Sequence, residues 1–401
     1  MTRRAAPVDY PVALTIAGSD SGGAAGVQAD LKTMEACGAY GTSVVTSVTA
    51  QNTRGVHGVH HLPPADVTAQ LDAVTDDYDV RAAKTGMLGT PETLRAVVDA
   101  VTDVDGPLVV DPVLVATAGD ALADDTVAAA YDTLFAHATL LTPNASEAAT
   151  LTDTTIETEA DAVAAAETLR GQGADAVLLT GGDPYTDDDG RAVDVLVTNE
   201  GTRTFVSERV DTERTHGSGC TISSAITARL ARGDDLETAV ARGIDVVARA
   251  IRYPHAVGGP TGSVHHLATL RNDATRDDVA TVVRGLAALD SVTDAAGATP
   301  YAESLADVAG GADGRFGDAG RLGERLLAAR ERDPAYRYAL AVADADALAA
   351  DVTPVDLDAA DLPAGRVADV ATDADDAAVR APDGTVTLLA DAAAALRERL
   401  A

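Results

Sequence analysis

The stretch Thr215–Thr221 contains the residues of this chain with the clearest chemical potential. Gly217 and Gly219 flank a serine, and Cys220 follows directly. Residues 222–230 have the apolar spacing of a helix, so the glycines lie where a loop becomes a helix. The free N–H groups of such a terminus bind phosphate without a lysine, and a thiol there should have a lowered pKa and could act as a base or nucleophile. The alternative is a glycine turn before a buried cysteine.

Charge and composition exclude some classes of protein. Over 401 residues, Lys+Arg 30 against Asp+Glu 63 gives a net charge of −33, which argues against nucleic-acid binding because a phosphate backbone requires a positive surface. A hydrophobic content of 46% is normal for a packed globule. Lys32 and Lys84 are the two lysines of the chain. The carboxylate-rich surface indicates a halophilic protein, for which charges act only over short distances.

Cysteine usage and hydropathy indicate the compartment. Cys37 and Cys220 are far apart and lack the spacing of a disulfide framework or a zinc site. The apolar run 12–17 is short and ends at a glycine, and no window approaches the ~20 apolar residues of a membrane span. We therefore expect a cytoplasmic protein without a membrane segment.

Short β-branched runs alternate with Ala-rich helical stretches from residue 12 to about 268. This alternation predicts a layered α/β domain with a mostly parallel central sheet covered by helices on both faces. Beyond it we expect an amphipathic helix over Arg271–Ala287 and then weaker patterns, which indicates two domains, 1–268 and a smaller α+β domain over 269–401. The clearest elements of the first are strands Val12–Ala17, Ser43–Ala50, Leu108–Asp111, Thr139–Thr142, Ala176–Thr180 and Asp194–Thr198 and helices Ala24–Cys37 and Asp161–Gln172.

Small and polar residues follow the first strands, at the sheet edge where such folds bind ligands. Between Gly18 and Asp30 small residues, Ala25 among them, would let a flat ligand approach the backbone, and Asp30 could accept hydrogen bonds from its amino or hydroxyl groups. Gln51 offers a donor and an acceptor in one amide, which suits a heteroaromatic ring with an exocyclic amine. Met87 could form a wall of the same pocket. The alternatives are a tight turn with a solvated aspartate, a turn glutamine and a core methionine.

A second group of candidates could hold a metal ion beside a nucleotide. Asn144 and Glu147 have the spacing of a capping box at a helix start. The same pair could hold water around Mg²⁺, an ion that prefers hard oxygen ligands. Asp111 follows a buried strand and adds a carboxylate on the same side of the sheet. Capping and metal binding are compatible, so both interpretations stay open.

Taken together, these segments resemble the phosphomethylpyrimidine kinase (hydroxymethylpyrimidine kinase) family of the ribokinase-like superfamily. The resemblance runs in order from residue 12 to 267 and implies a three-layer ribokinase-like domain. The segments that carry it are 17–33, 50–53, 84–88, 110–113, 142–147, 215–221 and 262–266.

The resemblance also implies roles for the candidate residues. Asn144 and Glu147, with Asp111 beside them, would serve Mg²⁺ and ATP. Gly217, Gly219 and Cys220 would form the anion hole at the reacting phosphate, with Cys220 in place of the aspartate base common in ribokinase relatives. Thr180 stands where the family often has a lysine before two glycines, and its hydroxyl could donate instead. The pyrimidine pocket would be lined by Gly18, Ala25, Asp30, Gln51 and Met87.

The implied activity is phosphorylation by ATP of 4-amino-5-hydroxymethyl-2-methylpyrimidine to its monophosphate and then to the diphosphate, in thiamine biosynthesis. Two alternatives stay open: a pyridoxal kinase, whose substrate is also a hydroxymethylated aromatic ring, and a regulator whose tail senses thiamine phosphates. A homodimer is compatible with the sequence.

The tail has a fainter resemblance to the thiamine-phosphate synthase domain that is fused to archaeal members of this family. Residues 298–304 and 315–330 carry it. That domain usually has a histidine in the stretch corresponding to Arg321, whereas this tail contains none and is shortened. The resemblance therefore implies a degenerate synthase-like domain without synthase activity.

Overall fold

A computed structural model of the chain describes residues 9–102, 104–114, 125–181, 186–187, 189–259, 261–343, 345–349, 352, 354–356, 378–383 and 385–400. Gly182, in the glycine pair after Thr180, lies outside them. The chain divides into two units, Met1–Ala268 and Thr269–Ala401. Among the described helices, none combines the length and the apolar character that crossing a membrane requires.

The first unit alternates strands and helices along most of its length. Its strands are β1 (Val12–Asp20), β2 (Tyr40–Asn52), β3 (Gly55–His61), β4 (Val80–Thr85), β5 (Leu108–Val110), β6 (Leu140–Leu141), β7 (Val177–Leu179), β8 (Ala192–Thr198) and β9 (Gly201–Ser207). Its helices are α1 (Gly26–Ala36), α2 (Pro64–Thr75), α3 (Pro91–Val101), α4 (Asp125–Phe135), α5 (Ala145–Thr152), α6 (Glu159–Gly171), α7 (Ser218–Ala231) and α8 (Leu236–Arg252).

These strands form one mixed sheet in the order β3-β2-β1-β4-β5-β6-β7-β8-β9. Neighbours from β2 to β7 pair in parallel, and the pairs β2–β3, β7–β8 and β8–β9 are antiparallel. Alternate residues of β1 face opposite sides, because Leu14 and Ile16 join one apolar cluster and Ala13 the other. The first cluster includes residues of α2 to α6 and the second residues of α7 and α8. The expected α/β domain with helices on both faces is confirmed.

Several element boundaries differ from the sequence expectation. β1 and β2 are longer than expected, because their polar ends still pair with neighbours. Strands β3, β4 and β9 lie outside the predicted set. β3 and β9 are edge strands with many exposed residues, and an apolar pattern does not reveal such strands. Two helices take the place of the single helix expected over Arg271–Ala287. The first ends at Ala274, and the second begins at Arg276.

The second unit has the expected α+β character. Its strands are β10 (Val292–Ala298), β11 (Val308–Gly310), β12 (Arg315–Phe316), β13 (Tyr338–Val342), β14 (Val355–Asp356), β15 (Ala378–Arg380) and β16 (Val386–Ala390), and its helices include α10 (Arg276–Ala287), α11 (Gly320–Arg330) and α12 (Ala393–Glu398), after α9 (Ala268–Ala274). The sheet order is β12-β11-β10-β13-β16-β15-β14, and its pairs are antiparallel except β14–β15. Helix α11 packs on one face, and α10 and α12 on the other.

Candidate active site

A cavity of about 350 Å³ lies in the first unit at the carboxyl ends of its parallel strands. Strands β1, β4, β5, β6 and β7 each contribute residues at or just after their ends, and the start of α7 forms another wall. This is the edge at which α/β sheets bind ligands. The predicted site residues that line the cavity are Gly18, Ala25, Gln51, Met87, Asp111, Asn144, Glu147, Thr180, Gly217, Gly219 and Cys220.

Helix α7 begins at the predicted loop-to-helix junction. Gly217 precedes its first residue with φ of 91°, and a Cβ built there would collide with the carbonyl oxygen of Ala24. Glycine alone satisfies both constraints. Gly219 and Cys220 lie in the first turn, where backbone N–H groups lack partners within the helix and carry partial positive charge. The structure therefore places a helix N-terminus, with its partial positive charge, at the cavity wall.

The pKa of the Cys220 thiol differs from the sequence expectation. Burial, with the carboxylates of Asp30 and Asp111 added to it, raises the pKa of the Cys220 thiol to about 12, although Lys84 and the N–H of Gly26 act in the opposite direction. The expectation of a lowered pKa is therefore wrong. The helix terminus favours a thiolate, but loss of hydration and like charges oppose it more strongly.

Asp30 lies behind the cavity wall and not in its lining. Its carboxylate is fully buried and accepts hydrogen bonds from Thr15 Oγ1 (2.6 Å), Ser224 Oγ (2.7 Å) and Lys84 Nζ (3.0 Å). The expected contact with a ligand is therefore corrected: Asp30 anchors a buried cation. Burial alone would lower the pKa of Lys84, but Asp30, Cys220 and Asp111 raise it, so Lys84 remains an ammonium ion.

Asp111 and Glu147 place two carboxylates in one half of the cavity. Lys84 Nζ lies 3.9 Å from Asp111 Oδ2, and Ser223 donates a 3.2 Å hydrogen bond to the same oxygen. Burial raises the pKa of both carboxyls, and for Glu147 the charge of Asp111 adds to the effect. Burial and the charges of Asp111 and Glu147 also raise the pKa of the Tyr131 hydroxyl. This buried hydroxyl has no hydrogen-bond partner among the described residues.

Asn144 and Glu147 form the capping box that their spacing predicts. The Asn144 side chain accepts from Glu147 N at 2.9 Å, and the Glu147 carboxylate accepts from Asn144 N at 3.0 Å. No three His, Cys, Asp or Glu side chains converge as a metal cluster within the described part of the chain. The hard oxygen donors and repelling carboxylates fit a divalent cation that keeps most of its water.

The opposite half of the cavity has the features of a pocket for a flat ring. Met87 packs against Gly18, where an added Cβ would lie 2.5 Å from its Cε atom. Thr49 Oγ1 lies within hydrogen-bond distance of Ser19 O (2.9 Å) and of Gln51 Oε1 (3.1 Å) and can donate its single proton to either, which places the Gln51 amide at the cavity. Together with Ala25 these residues give an apolar wall with one oriented amide.

Thr180 lies beside the capping box. Its backbone N–H donates to the carbonyl of Pro143 at 3.0 Å, and it pairs with Asn144 as an isolated bridge. The following N–H, of Gly181, donates to Asp194 Oδ1 at 2.9 Å. This hydrogen bond only partly offsets burial, which raises the pKa of Asp194 to about 6. The arrangement sets Thr180 in the same wall as Asn144.

Two cavity residues, Asp20 and His216, are absent from the sequence prediction. Asp20 ends β1, and His216 directly precedes Gly217. Both are almost fully buried, and His216 Nε2 lies 3.6 Å from Asp20 Oδ2. Their positions beside Gly18 and Gly217 were visible in the sequence, but their pairing depends on the tertiary fold.

We predict that Asp30→Asn destabilises the protein strongly, because it leaves the Lys84 ammonium without its closest counter-charge. Breaking a buried ion pair in this way costs roughly 3–5 kcal/mol of unfolding free energy, which urea denaturation followed by circular dichroism measures. The control is Glu237→Gln, which breaks an exposed pair with Arg203 and should cost about 1 kcal/mol or less. Equal losses in the two variants would contradict the interpretation.

Comparison with known proteins connects the site to a family. The family model described as phosphomethylpyrimidine kinase matches residues 20–265. The thiamine biosynthesis bifunctional protein ThiED of Geobacter sulfurreducens is 46% identical over 266 residues, which cover 66% of this chain and 54% of that protein. The hydroxymethylpyrimidine/phosphomethylpyrimidine kinase of Staphylococcus aureus is 41% identical over 271 residues, 67% of this chain and 98% of that protein.

Solved structures of two kinases are also similar to this chain. Bacillus subtilis pyridoxal kinase, in an ADP complex, superposes with a TM-score of 0.59 at 34% identity over 65% of this chain and 98% of that one. Phosphomethylpyrimidine kinase from Clostridium difficile superposes with a TM-score of 0.53 at 37% identity over 60% of this chain and 99% of that one. With the family match over more than half of its length, the chain belongs to the phosphomethylpyrimidine kinase family.

Proposed function

We propose that the first unit is a cytoplasmic kinase that phosphorylates 4-amino-5-hydroxymethyl-2-methylpyrimidine with ATP, and then its monophosphate to the diphosphate, in thiamine biosynthesis. The observation that carries this proposal is one cavity with a ring pocket at Gly18, Gln51 and Met87 facing an anion-binding helix terminus at Gly217–Cys220. The names of the Staphylococcus aureus and Clostridium difficile relatives support it.

In this proposal Gln51 reads the polar edge of the pyrimidine. Its amide N–H₂ would donate to a ring nitrogen, and its Oε1, 3.1 Å from Thr49 Oγ1, would accept from the exocyclic amine. Gly18 and Met87 pack against the ring face. The hydroxymethyl group then points toward Gly219 and Cys220 in the first turn of α7.

The nucleotide would occupy the half of the cavity with the capping box. Glu147, Asn144 and Asp111 would hold Mg²⁺, and the Thr180 hydroxyl would contact a phosphate. When bound, the cation neutralises charge on the phosphates. Phosphoryl transfer depends mainly on positioning and on such neutralisation, and the N–H groups of Gly219 and Cys220 contribute to both at the transferred group.

In this proposal Cys220 acts as a base, although its raised pKa leaves only a small thiolate fraction at neutral pH. The first acceptor is an alcohol, whose proton must leave during transfer, and the Cys220 sulfur is the cavity group next to the helix terminus that can accept it as a thiolate. The second acceptor is a phosphate with a second pKa of about 6, so it is anionic at neutral pH. Only the first step therefore requires a base.

The proposed substrate is tested by competition between two vitamin precursors. We expect the purified full chain to convert the hydroxymethylpyrimidine to mono- and diphosphate with ATP and Mg²⁺, and pyridoxal to compete only weakly. The assays are carried out both in concentrated and in dilute KCl, because we propose that the net charge of −33 is an adaptation to salt. Preferred turnover of pyridoxal would favour the pyridoxal kinase alternative, and tight binding without turnover would favour a regulator.

We predict that Cys220→Ala slows the first phosphorylation far more than the second. Loss of a general base lowers a rate by roughly 10²–10⁴-fold, so kcat with the alcohol should fall at least about 10²-fold, while kcat with the monophosphate changes only a few-fold. Separate rate measurements with the two acceptors decide this. Equal losses would assign Cys220 to positioning instead.

The pH dependence provides a control for the same prediction. Because the pKa of Cys220 is raised to about 12, the thiolate fraction rises with pH through the neutral range, and the ratio of kcat/KM for alcohol over monophosphate should rise about tenfold per unit between pH 7 and 9. Groups that serve both steps cancel in this ratio. In Cys220→Ala the slope should vanish; a plateau of the wild-type ratio near pH 7 would contradict a base with a raised pKa.

For the second unit we propose a degenerate synthase-like domain without catalysis. Support comes from its sequence, which contains no histidine after His266, and from the relative named ThiED, a bifunctional protein. We expect the full chain to form no thiamine phosphate from the pyrimidine diphosphate and thiazole phosphate, as measured by chromatography. Formation of thiamine phosphate above the level without enzyme would overturn this assignment.

A further inference from the structure

The Asp20–His216 contact joins two segments that each carry part of the reaction site. Asp20 begins the loop Ser21–Ala25, and His216 directly precedes the N-terminus of α7. Both side chains line the cavity but are withdrawn from solvent, with relative exposures of 3% and 5%. The pair therefore lies between the ring pocket and the phosphate-binding terminus.

The Asp20 carboxylate fixes the loop by hydrogen bonds to its backbone. Oδ1 accepts from Gly22 N at 2.7 Å, and Oδ2 accepts from Ala24 N and Ala25 N at 2.9 Å each. Burial would raise the pKa of Asp20, but His216 and these three N–H groups lower it, so the group is a carboxylate. One side chain thus determines the path of the loop.

The His216 ring is oriented toward this carboxylate. Its Nε2 lies 3.6 Å from Asp20 Oδ2, while its buried Nδ1 has no partner among the described residues. A proton on Nε2 is the assignment that this arrangement favours. The distance is longer than a direct hydrogen bond, but the contact still lowers the pKa of Asp20.

The two segments also touch directly at Ala24. Gly217 packs on its carbonyl oxygen so closely that no side chain fits, and His266 Nε2 lies 3.1 Å from the same oxygen. Gly26, which follows the loop and begins α1, faces Cys220, since its backbone N–H lowers the pKa of that thiol. A shift of the loop relative to α7 would therefore misplace both the ring pocket and this N–H group.

We propose that His216 and Asp20 are positioning residues that hold the loop Ser21–Ala25 in register with the proposed phosphate-binding start of α7. This inference rests on the proposed kinase function for its reaction but not for its geometry. A misplacement of about 1 Å can lower a rate by roughly 10²-fold. Both phosphorylations need the alignment, so loss of the pair slows both steps, whereas loss of the thiol slows the first.

The experiment compares His216→Asn with His216→Gln in the full chain. The Gln amide reaches the position of Nε2 and can donate to Asp20, whereas the Asn amide is too short. We expect Asn to lower kcat about 10- to 100-fold with both acceptors, with KM for ATP changed only a few-fold, and Gln to restore most of it. His137→Leu, at an exposed histidine outside the cavity, is the control and should match the wild type.

Hydrogen–deuterium exchange gives a readout independent of turnover. His216→Asn should speed exchange several-fold in the peptide containing residues 21–26, and His216→Gln should not. Unchanged kcat and exchange in folded His216→Asn would overturn the proposal, as would failure of Gln to rescue both. If Asn does not fold, His216→Phe fills the buried volume without a donor and should show the same losses. A wild type without kinase turnover would refute the proposed function, while exchange would still decide the pairing.

Discussion

The fold of the first unit depends on one buried ammonium ion. The Lys84 ammonium contacts Asp30 of α1 and Asp111 after β5. Asp30 in turn accepts hydrogen bonds from Thr15 of β1 and Ser224 of α7. A buried charge requires such partners, because its lost hydration is otherwise uncompensated. The ammonium is compact and fits where a guanidinium would not. Lys84 is one of two lysines in a chain that otherwise uses arginine, and this polar cluster fixes where β1, α1 and α7 meet at the cavity.

The site handles anions although the chain carries a net charge of −33. Electrostatic forces over long distances would repel a phosphate, so the proposed site relies on short contacts. The backbone N–H groups at Gly219 and Cys220 carry partial positive charge that does not titrate, and they are held in place at the helix start. Gly217 allows this helix start to pack against the carbonyl of Ala24. In the proposed site, backbone geometry would take the place of the basic side chains that a phosphate site otherwise uses.

Sequence reasoning located most of the cavity because parallel strands bring their carboxyl ends to one edge. Residues that follow strands, such as Asp111 and Thr180, therefore converge whatever their distance in the chain. The capping box at Asn144 was predictable for the opposite reason, since its partner is three residues away. Asp30 was misplaced because a helix start does not reveal which face is buried, and its partner, Lys84, lies 54 residues further on. The contact of Asp20 with His216 spans even more of the chain.

The pKa of Cys220 shows why local rules failed at the reacting group. A helix N-terminus lowers the pKa of a thiol, but here burial raises it more strongly, and Asp30 and Asp111 act on the same sulfur through a medium of low polarizability. Lys84 compensates Asp30 at hydrogen-bond distance and Asp111 from 3.9 Å, and Asp111 also repels Glu147. Positive charge placed between Asp111 and Glu147 would remove part of the penalty on the thiolate.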